Sequence, residues 1–521
     1  MIDSKGKKRK ESTDLTFDNW HDSSIERHDL YNFESKIDYT IEKTEKSKTS
    51  YVLNTYFFIP QSLQINEDTY SKEQFFSDIN NRIRFKTPQI SLEGIIDENN
   101  TTSPMTRIFQ RLQKIEYGKS TKSKKSKIHR DLRLTACIIR TSMRDQYRYL
   151  RTNLRVLIQQ QKLIEIIGSY MDTILKLQEK IKSLGDKFLL PQVPYKLQEA
   201  FQLASQYISL QIESWVTRIF KKFENNINTS IRNKIIQIIE KEQKYRKNLK
   251  SRLIIHSESD NESFSYFKGI MKKYVQGVLY LDRQKRDPQS PILQVAYSVA
   301  AGFAMFCSLF LGFIILENLE VNSFPFIIAA IVIYILKDRV KDNIKYFSDR
   351  AVGFLFPDNR IDIVDEVSGE MIGSIKETVN YVDWDDLPVG ILEIRRSSNR
   401  TSLEEKGKPE IVLSYNKKVE LLNEKIEKIH SHHRDISDIL RFNIREFLRY
   451  ADDPMRYRSH WNSETQELVT ETVAKVYHLN IVLKLSSYRG GKRKSTYYKK
   501  FRVILDQNGI KRVMEPEIKL Q

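Results

Sequence analysis

Cysteine, glycine and proline are all scarce in this sequence. The two cysteines, Cys137 and Cys307, cannot form the disulfide framework of a small secreted domain, so a reducing compartment is favoured. Glycine occurs 17 times and proline 13 times in 521 residues. Each falls below its usual share of about 5 to 7%. Collagen-like sequence and long, turn-rich β architecture are therefore not expected, and helix is expected to dominate.

Motifs that carry chemistry are also lacking. The sequence has no glycine-rich phosphate loop, no nucleophile elbow and no paired CxxC motif. Residues 1–14 are polar and lysine-rich, without the apolar stretch of a cleavable signal peptide, so none is expected. No catalytic residue and no cofactor is predicted.

Basic residues are in marked excess. The chain carries 86 Lys and Arg against 67 Asp and Glu, a formal net charge of +19, which attracts anionic partners. Residues 107–155 are especially basic. The candidate basic surface within them is Lys122, Lys124, Lys125, Lys127 and Arg130. Contact with anionic lipid headgroups is expected, a nucleic-acid contact is less favoured, and a solvated helix face explains the pattern without any ligand.

Two apolar runs provide the strongest signal. Residues 291–316 contain no charge over 26 positions, which is enough to cross a hydrocarbon core of about 30 Å. Residues 321–336 are uncharged over 16 positions, a short span that Lys337 and Arg339 could extend. The two runs predict a two-helix transmembrane hairpin.

The charges around these runs predict an orientation. The link contains Glu317 and Glu320 and no Lys or Arg, whereas both outer flanks are basic. The positive-inside rule then predicts a multi-pass cell-membrane protein with both termini cytoplasmic. A shallow hairpin confined to one leaflet is less favoured, because it would place both carboxylates in hydrocarbon at about 2.5 to 3.5 kcal/mol each.

Small side chains recur every four residues along the first run. They are Ala296, Ala300, Ala304, Ser308 and Gly312. Such a stripe lets helix backbones approach closely. Packing against the second helix is the preferred interpretation, and a homo-oligomeric contact is the alternative.

Hydrophobic periodicity predicts a mainly α protein and divides the rest of the chain into segments. The expected segments are a disordered polar tail (1–48), a small α/β element (49–104), a basic helical bundle or coiled coil (105–255), an amphipathic juxtamembrane helix (262–290) and a cytoplasmic α+β region (337–521). Within 105–255, a helix of more than fifty residues is expected from His129. In the last region, a helix is expected over 417–450, and the final forty residues are expected to form an antiparallel β-meander.

One cluster has the composition of a metal site. His430, His432, His433, Asp435 and Asp438 would share the predicted 417–450 helix, where residues three apart lie on one face. Because no further ligand is fixed, a solvated polar turn explains the cluster better.

The functional hypothesis therefore depends on the predicted membrane topology and not on a motif. The sequence suggests an integral membrane scaffold, sensor or adaptor whose partners are the bilayer and either a protein partner or further copies of itself. The alternatives are a membrane-tethered enzyme with a metal site in the C-terminal region and a membrane-tethered nucleic-acid-binding protein.

Overall fold

A computed structural model gives the fold of the chain. It describes residues 24–40, 48–116, 122–159, 161–255, 261–286, 290–321, 323–365, 368–397, 410–429, 435–489 and 492–516. The chain divides into two compact units. We call residues 1–83, 281–429 and 437–521 the sheet unit, and residues 84–280 with 430–436 the helical unit.

The described residues form fourteen strands. They are β1 (Ser24–Arg27), β2 (Asn32–Thr40), β3 (Lys48–Pro60), β4 (Ile79–Phe85), β5 (Asp282–Arg286), β6 (Asn359–Val364), β7 (Met371–Val382), β8 (Glu410–Leu422), β9 (Asp435–Asn443), β10 (Met455–Asn462), β11 (Glu467–Ala474), β12 (Tyr477–Arg489), β13 (Lys492–Asp506) and β14 (Gly509–Met514).

Thirteen α-helices accompany these strands in the described part of the chain. They are α1 (Lys72–Asp78), α2 (Leu92–Ile96), α3 (Pro104–Glu116), α4 (Lys122–Thr152), α5 (Leu154–Gln159), α6 (Leu163–Phe188), α7 (Tyr195–Phe223), α8 (Thr229–Asn248), α9 (Glu262–Gln276), α10 (Ser290–Asn318), α11 (Phe324–Leu355), α12 (Val389–Arg396) and α13 (Asn423–Ile429).

An eight-stranded antiparallel sheet organises the sheet unit. Its order is β14-β13-β12-β3-β8-β7-β6-β5. The N-terminal strand β3 lies in the middle, where Phe57 pairs with Ile481 of β12 and Leu413 of β8. Strands β12 to β14 pair in chain order at the positions expected for the meander. They form one end of this sheet rather than a separate domain.

The two faces of the large sheet bury different layers, because neighbouring residues of a strand point to opposite faces. On one face, the Phe57 ring lies 5.3 Å from Phe442 of β9 and 6.0 Å from Phe75 of α1. Strand β9 belongs to a four-stranded sheet of order β1-β2-β9-β4. On the other face, Phe58 packs in a buried cluster with Ile391 and Ile394 of α12. The core is therefore a sheet between a second sheet and a helix.

A buried polar network holds α12 in place. Arg395 makes two hydrogen bonds to the carboxylate of Glu410, of 3.0 and 2.6 Å, and both side chains are buried. The Lys500 ammonium group of β13 donates to the carbonyls of Ile394 and Arg395, at 2.9 and 2.7 Å. A cation there satisfies carbonyls that the last turn of a helix leaves without partners. Burial, together with Arg395 and Arg502, lowers the pKa of Lys500 to about 7.

Helices α2 to α9 form the helical unit. Helix α7 is central: it packs against α4, α8 and α9. Asn228 caps α8 by accepting a 2.9 Å hydrogen bond from the Ile231 amide. The helical character predicted for 105–255 is observed. The expected continuous helix is wrong, because it breaks into α4, α5 and α6, and Gln161 has a φ of +55° in the second break.

The predicted fold class is wrong. Large antiparallel sheets account for much of the sheet unit, so the protein is not mainly α. The two-helix transmembrane hairpin is also overturned, because among the described residues α10 alone is long and apolar enough to cross a membrane. Helix α11 begins at Phe324, so 13 helical residues, about 20 Å, precede Lys337. That length falls short of a hydrocarbon core of about 30 Å.

Other segment predictions also need correction. Residues 24–40 form β1 and β2 rather than a disordered tail, and β3 joins the C-terminal strands instead of an N-terminal element. The expected 417–450 helix is replaced by the end of β8, the short α13 and β9. The juxtamembrane helix ends at Gln276 and is followed by a 3-10 turn and β5. The 417–450 error arose because its apolar spacing fitted two periods.

Gly509 allows the tight turn between β13 and β14. Its φ is +129°, and a Cβ there would lie 2.4 Å from the Leu30 carbonyl oxygen. We expect Gly509→Ala to destabilise the sheet unit by about 1 to 3 kcal/mol, measured by denaturant unfolding. Gly353→Ala in α11 is the control, because a Cβ there meets no atom within 4 Å. Equal stability of the two variants would contradict the turn geometry.

The lowered pKa of Lys500 should make the free energy of unfolding depend on pH. Its pKa is about 7 when folded and about 10.4 when unfolded, so between these values the unfolded chain holds a proton that the folded chain lacks. The free energy of unfolding should therefore rise with pH, by up to about 1.4 kcal/mol per unit from Lys500. Unfolding titrations at pH 7.5 and 9 should show this extra rise in the wild type and not in Lys500→Met. Parallel slopes would rule out a lowered Lys500 pKa.

Candidate membrane-insertion site

Helices α10 and α11 form an antiparallel helical hairpin joined by residues 319–323. Ser323 caps α11, since its hydroxyl accepts a 3.3 Å hydrogen bond from the Phe326 amide, and Pro325 occupies the first turn, where proline is tolerated. The far ends are also tied together. The Tyr297 hydroxyl donates to Asp349, and the Lys345 ammonium lies 5.4 Å from the Tyr297 ring centroid. The start of α10 therefore lies beside the end of α11.

Both ends of the helical hairpin return to the same sheet. Strand β5 comes shortly before α10, and β6 comes shortly after α11. The two strands pair antiparallel, with Arg286 opposite Arg360 and Asp282 opposite Val364. Arg286 also makes a 2.8 Å ion pair with the buried Asp362 of β6. The chain thus leaves and re-enters the sheet at neighbouring positions.

The helical hairpin exposes an apolar surface. Phe306 is 66% exposed and Phe310 59% exposed, and their rings stack with centroids 6.4 Å apart. The other exposed large apolar residues up to Leu336 are Val295, Val299, Phe303, Met305, Leu309, Phe313, Ile314 and Leu316 in α10, and Phe324, Ile327, Ile328, Ile331, Val332, Tyr334, Ile335 and Leu336 in α11. A contiguous surface of this kind marks a protein or membrane interaction site. We call the apolar parts of the two helices, residues 291–316 and 324–336, the apolar tip.

The apolar tip ends at a charged and aromatic border in α11. Lys337, Arg339, Lys341 and Lys345 follow Leu336, interspersed with Asp338 and Asp342. The Lys337 ammonium lies 4.4 Å from the Tyr334 ring centroid, and Tyr346 and Phe347 are exposed. Tyrosine beside lysine is the residue pair typical of a membrane–water interface. We did not single out these aromatic residues from the sequence, although their position next to the charge boundary was a usable signal.

The stripe of small residues divides into two parts. Ala300 and Ala304 are fully buried where α10 packs along α11. Ala296 and Ser308 are half-buried, and a Cβ at Gly312 would meet no atom within 4 Å. Packing within the chain therefore accounts for the middle of the stripe.

Only two residues of the predicted metal cluster lie in the described part of the chain. His430, His432 and His433 lie outside the described residues. Asp435 and Asp438 both lie on β9, where Asp435 is 3.8 Å from Lys86 and the buried Asp438 forms an ion pair with Lys417 of β8. Among the described residues, no group of three or more His, Cys, Asp or Glu could hold a metal ion.

The predicted basic surface lies at the start of α4. Lys125 and Lys127 are exposed, and Arg130 is half-buried with its Nε 4.0 Å from the buried Asp131. Lys122 and Lys124 are helical, but their side chains lie outside the described part. Arg107 also pairs with Asp131, at 3.2 Å, so part of this positive charge is neutralised locally.

Comparisons with protein-family models, curated proteins and solved structures find no match to the chain.

Substitutions at the buried Ala304 and at the open Gly312 should have different effects on the helical hairpin. Ala304→Leu places a bulky side chain between α10 and α11, which should destabilise the helical hairpin by about 1 to 3 kcal/mol. Hydrogen exchange at the α10 and α11 amides should therefore accelerate in Ala304→Leu and stay unchanged in Gly312→Ala. If Ala304→Leu left exchange unchanged and reduced crosslinked oligomers, the stripe would instead be a contact between copies.

Proposed function

We propose that the protein is a membrane-attached scaffold, sensor or adaptor. The apolar tip enters a lipid bilayer, while the eight-stranded sheet stays in water on one side. The observation that carries this proposal is the exposed apolar surface of a helical hairpin whose two ends are held by paired strands.

The apolar area supports insertion. Within the apolar tip, nine side chains of α10 and seven of α11 are exposed Val, Leu, Ile or Phe. Full burial of such a side chain stabilises by about 1.5 to 3 kcal/mol, so a half-exposed one contributes roughly 1 kcal/mol. Lipid removes this surface from water without the need for a protein partner.

The two carboxylates at the turn oppose insertion. Glu317 and Glu320 would cost about 2.5 to 3.5 kcal/mol each at the bilayer centre, and less away from it. This cost is smaller than the contribution of the sixteen apolar side chains. Insertion from one side is therefore favourable overall, even with these charges near the deepest point.

The border of the tip supports contact with anionic lipid headgroups. Four of the first nine residues after Leu336 are Lys or Arg, and each contributes about 1 kcal/mol close to an anionic surface. Basic residues beside a membrane-inserted segment also favour the cytoplasmic side. A protein partner or a second copy of the chain would then bind the water-exposed parts.

Substitution within the apolar tip tests this proposal. The double variant Phe306→Asp, Phe310→Asp places charges at exposed positions, so it should leave the sheet unit folded and abolish membrane attachment. In cells that produce the full chain, the wild type should stay in the membrane pellet after alkaline carbonate extraction, and the double variant should move to the supernatant.

The control is Tyr457→Asp on β10, where the wild-type side chain is 78% exposed. This variant should stay in the pellet, as the wild type does. A wild-type protein that carbonate releases, or a double variant that remains in the pellet, would contradict membrane attachment through the tip.

A further inference from the structure

The helical unit contains a second feature, which is independent of the apolar tip. Helices α6, α7 and α8 enclose a partly open cavity of about 790 Å³. Small-molecule sites in proteins usually measure about 300 to 1,000 Å³ and combine an apolar wall with a few polar groups. The size and location of this cavity between bundle helices fit that description.

Aromatic rings form the apolar wall near the α6–α7 connection. Phe188 and Phe201 stack with centroids 4.7 Å apart and planes inclined by 15°. Gly185 allows this approach, because a Cβ there would lie 3.2 Å from the Phe201 ring. Tyr195 and Tyr245 also line the cavity, and Tyr245 is held by a 2.8 Å hydrogen bond to Ser205. Aromatic side chains interact favourably with organic cations as well as with apolar groups.

A buried carboxylate lies in the polar part of the wall. Glu242 of α8 is 7% exposed, and Gln178 donates a 2.6 Å hydrogen bond to it. The neighbouring Arg246 is already engaged by the Leu253 carbonyl, the Ser209 hydroxyl and Glu213. Among the described residues, no Lys or Arg forms an ion pair with Glu242. Burial raises the pKa of the Glu242 carboxyl, although its hydrogen bonds and the charge of Arg246 oppose this shift.

The charge of the cavity is opposite in sign to that of the chain. Four of its lining residues are acidic and two are basic: Glu179, Asp186, Glu199 and Glu242 against Lys182 and Lys241. The chain as a whole has a net charge of +19. The buried oxygen Oε1 of Gln178 has no hydrogen-bond partner in the described part of the chain. Acceptors and negative charge therefore predominate, which disfavours an anionic ligand.

We propose that this cavity binds an apolar organic cation, with the cationic group beside Glu242 and the apolar body against Phe188 and Phe201. A cation there would stabilise the buried carboxylate, and the rings would hold the apolar body.

Two ions of nearly identical shape and opposite charge test this proposal. Tetraphenylphosphonium and tetraphenylborate can each be titrated into the full chain in detergent by calorimetry. The cation should bind at least tenfold more tightly than the anion, and it alone should raise the thermal unfolding midpoint. Equal binding of the two ions, tighter binding of the anion, or no binding of the cation would overturn the proposal without any variant.

Two variants of α8 locate the binding site. Glu242→Gln keeps the size of the side chain and should weaken binding of tetraphenylphosphonium at least tenfold. Glu240→Gln, an exposed position two residues away that does not line the cavity, is the matched control and should bind as the wild type does. Micelles take up the probe equally in every sample, so differences between variants report the cavity. Unchanged affinity of Glu242→Gln would overturn the assignment.

Discussion

The antiparallel pairing of β5 with β6 limits how the helical hairpin can be placed in a membrane. Because Arg286 lies opposite Arg360, the chain enters and leaves the helical hairpin at adjacent strands of one sheet. A segment that crossed the bilayer once would place those strands on opposite sides and break their hydrogen bonds. Among the described residues, α10 alone is long and apolar enough to span, so the strand pairing fits the proposed entry of the apolar tip from one side of a bilayer without a crossing. Helix α11 returns the chain to β6, and its charged second half, which begins at Lys337, would limit the depth of the proposed insertion.

The sheet unit depends on contacts between distant parts of the chain. Strand β3 lies between β8 and β12, so residues near 55 pair with residues near 415 and 483. Buried ionic groups add to its specificity. Lys417 of β8 pairs with Asp438 of β9, and Tyr415 donates a 2.7 Å hydrogen bond to Glu377 of β7. Such groups stabilise the fold only when all members are present, because an isolated buried charge is costly. The Lys417–Asp438 pair links the two sheets, and the Tyr415–Glu377 bond links neighbouring strands of the large sheet.

Parts of this structure could be predicted from the sequence because their signal is local. The turn at Gln507, Asn508 and Gly509 predicted the β13–β14 hairpin, and the uncharged run at 291–316 predicted α10. The length of α11 could not be judged from the apolar run alone, since that run begins before the Ser323 cap. The pairing of β3 with β12 has no local signature. Residues 417–450 fitted a helical period, whereas burial between two sheets selected strands for most of that segment.

Some site residues likewise had a local signal in the sequence, whereas others are brought together only by the fold. The apolar residues of the tip were recognised from the sequence, because they form a long stretch without a charge. The cavity was missed, because Gln178, Phe201 and Glu242 lie on three helices and only the fold brings them together. Spacing along one helix also suggested a metal cluster that includes Asp435 and Asp438, but β9 directs these two residues to Lys86 and Lys417 respectively.

We propose that β5 and β6, which flank the helical hairpin, both lie in the same aqueous compartment. Lys285→Cys and Ser368→Cys, each introduced alone into a chain that carries Cys137→Ala and Cys307→Ala, can be labelled with an impermeant maleimide in intact cells and in inverted vesicles. We predict that both positions react in the same preparation and are protected in the other. Labelling of one position from each side would contradict the β5–β6 pairing in the membrane.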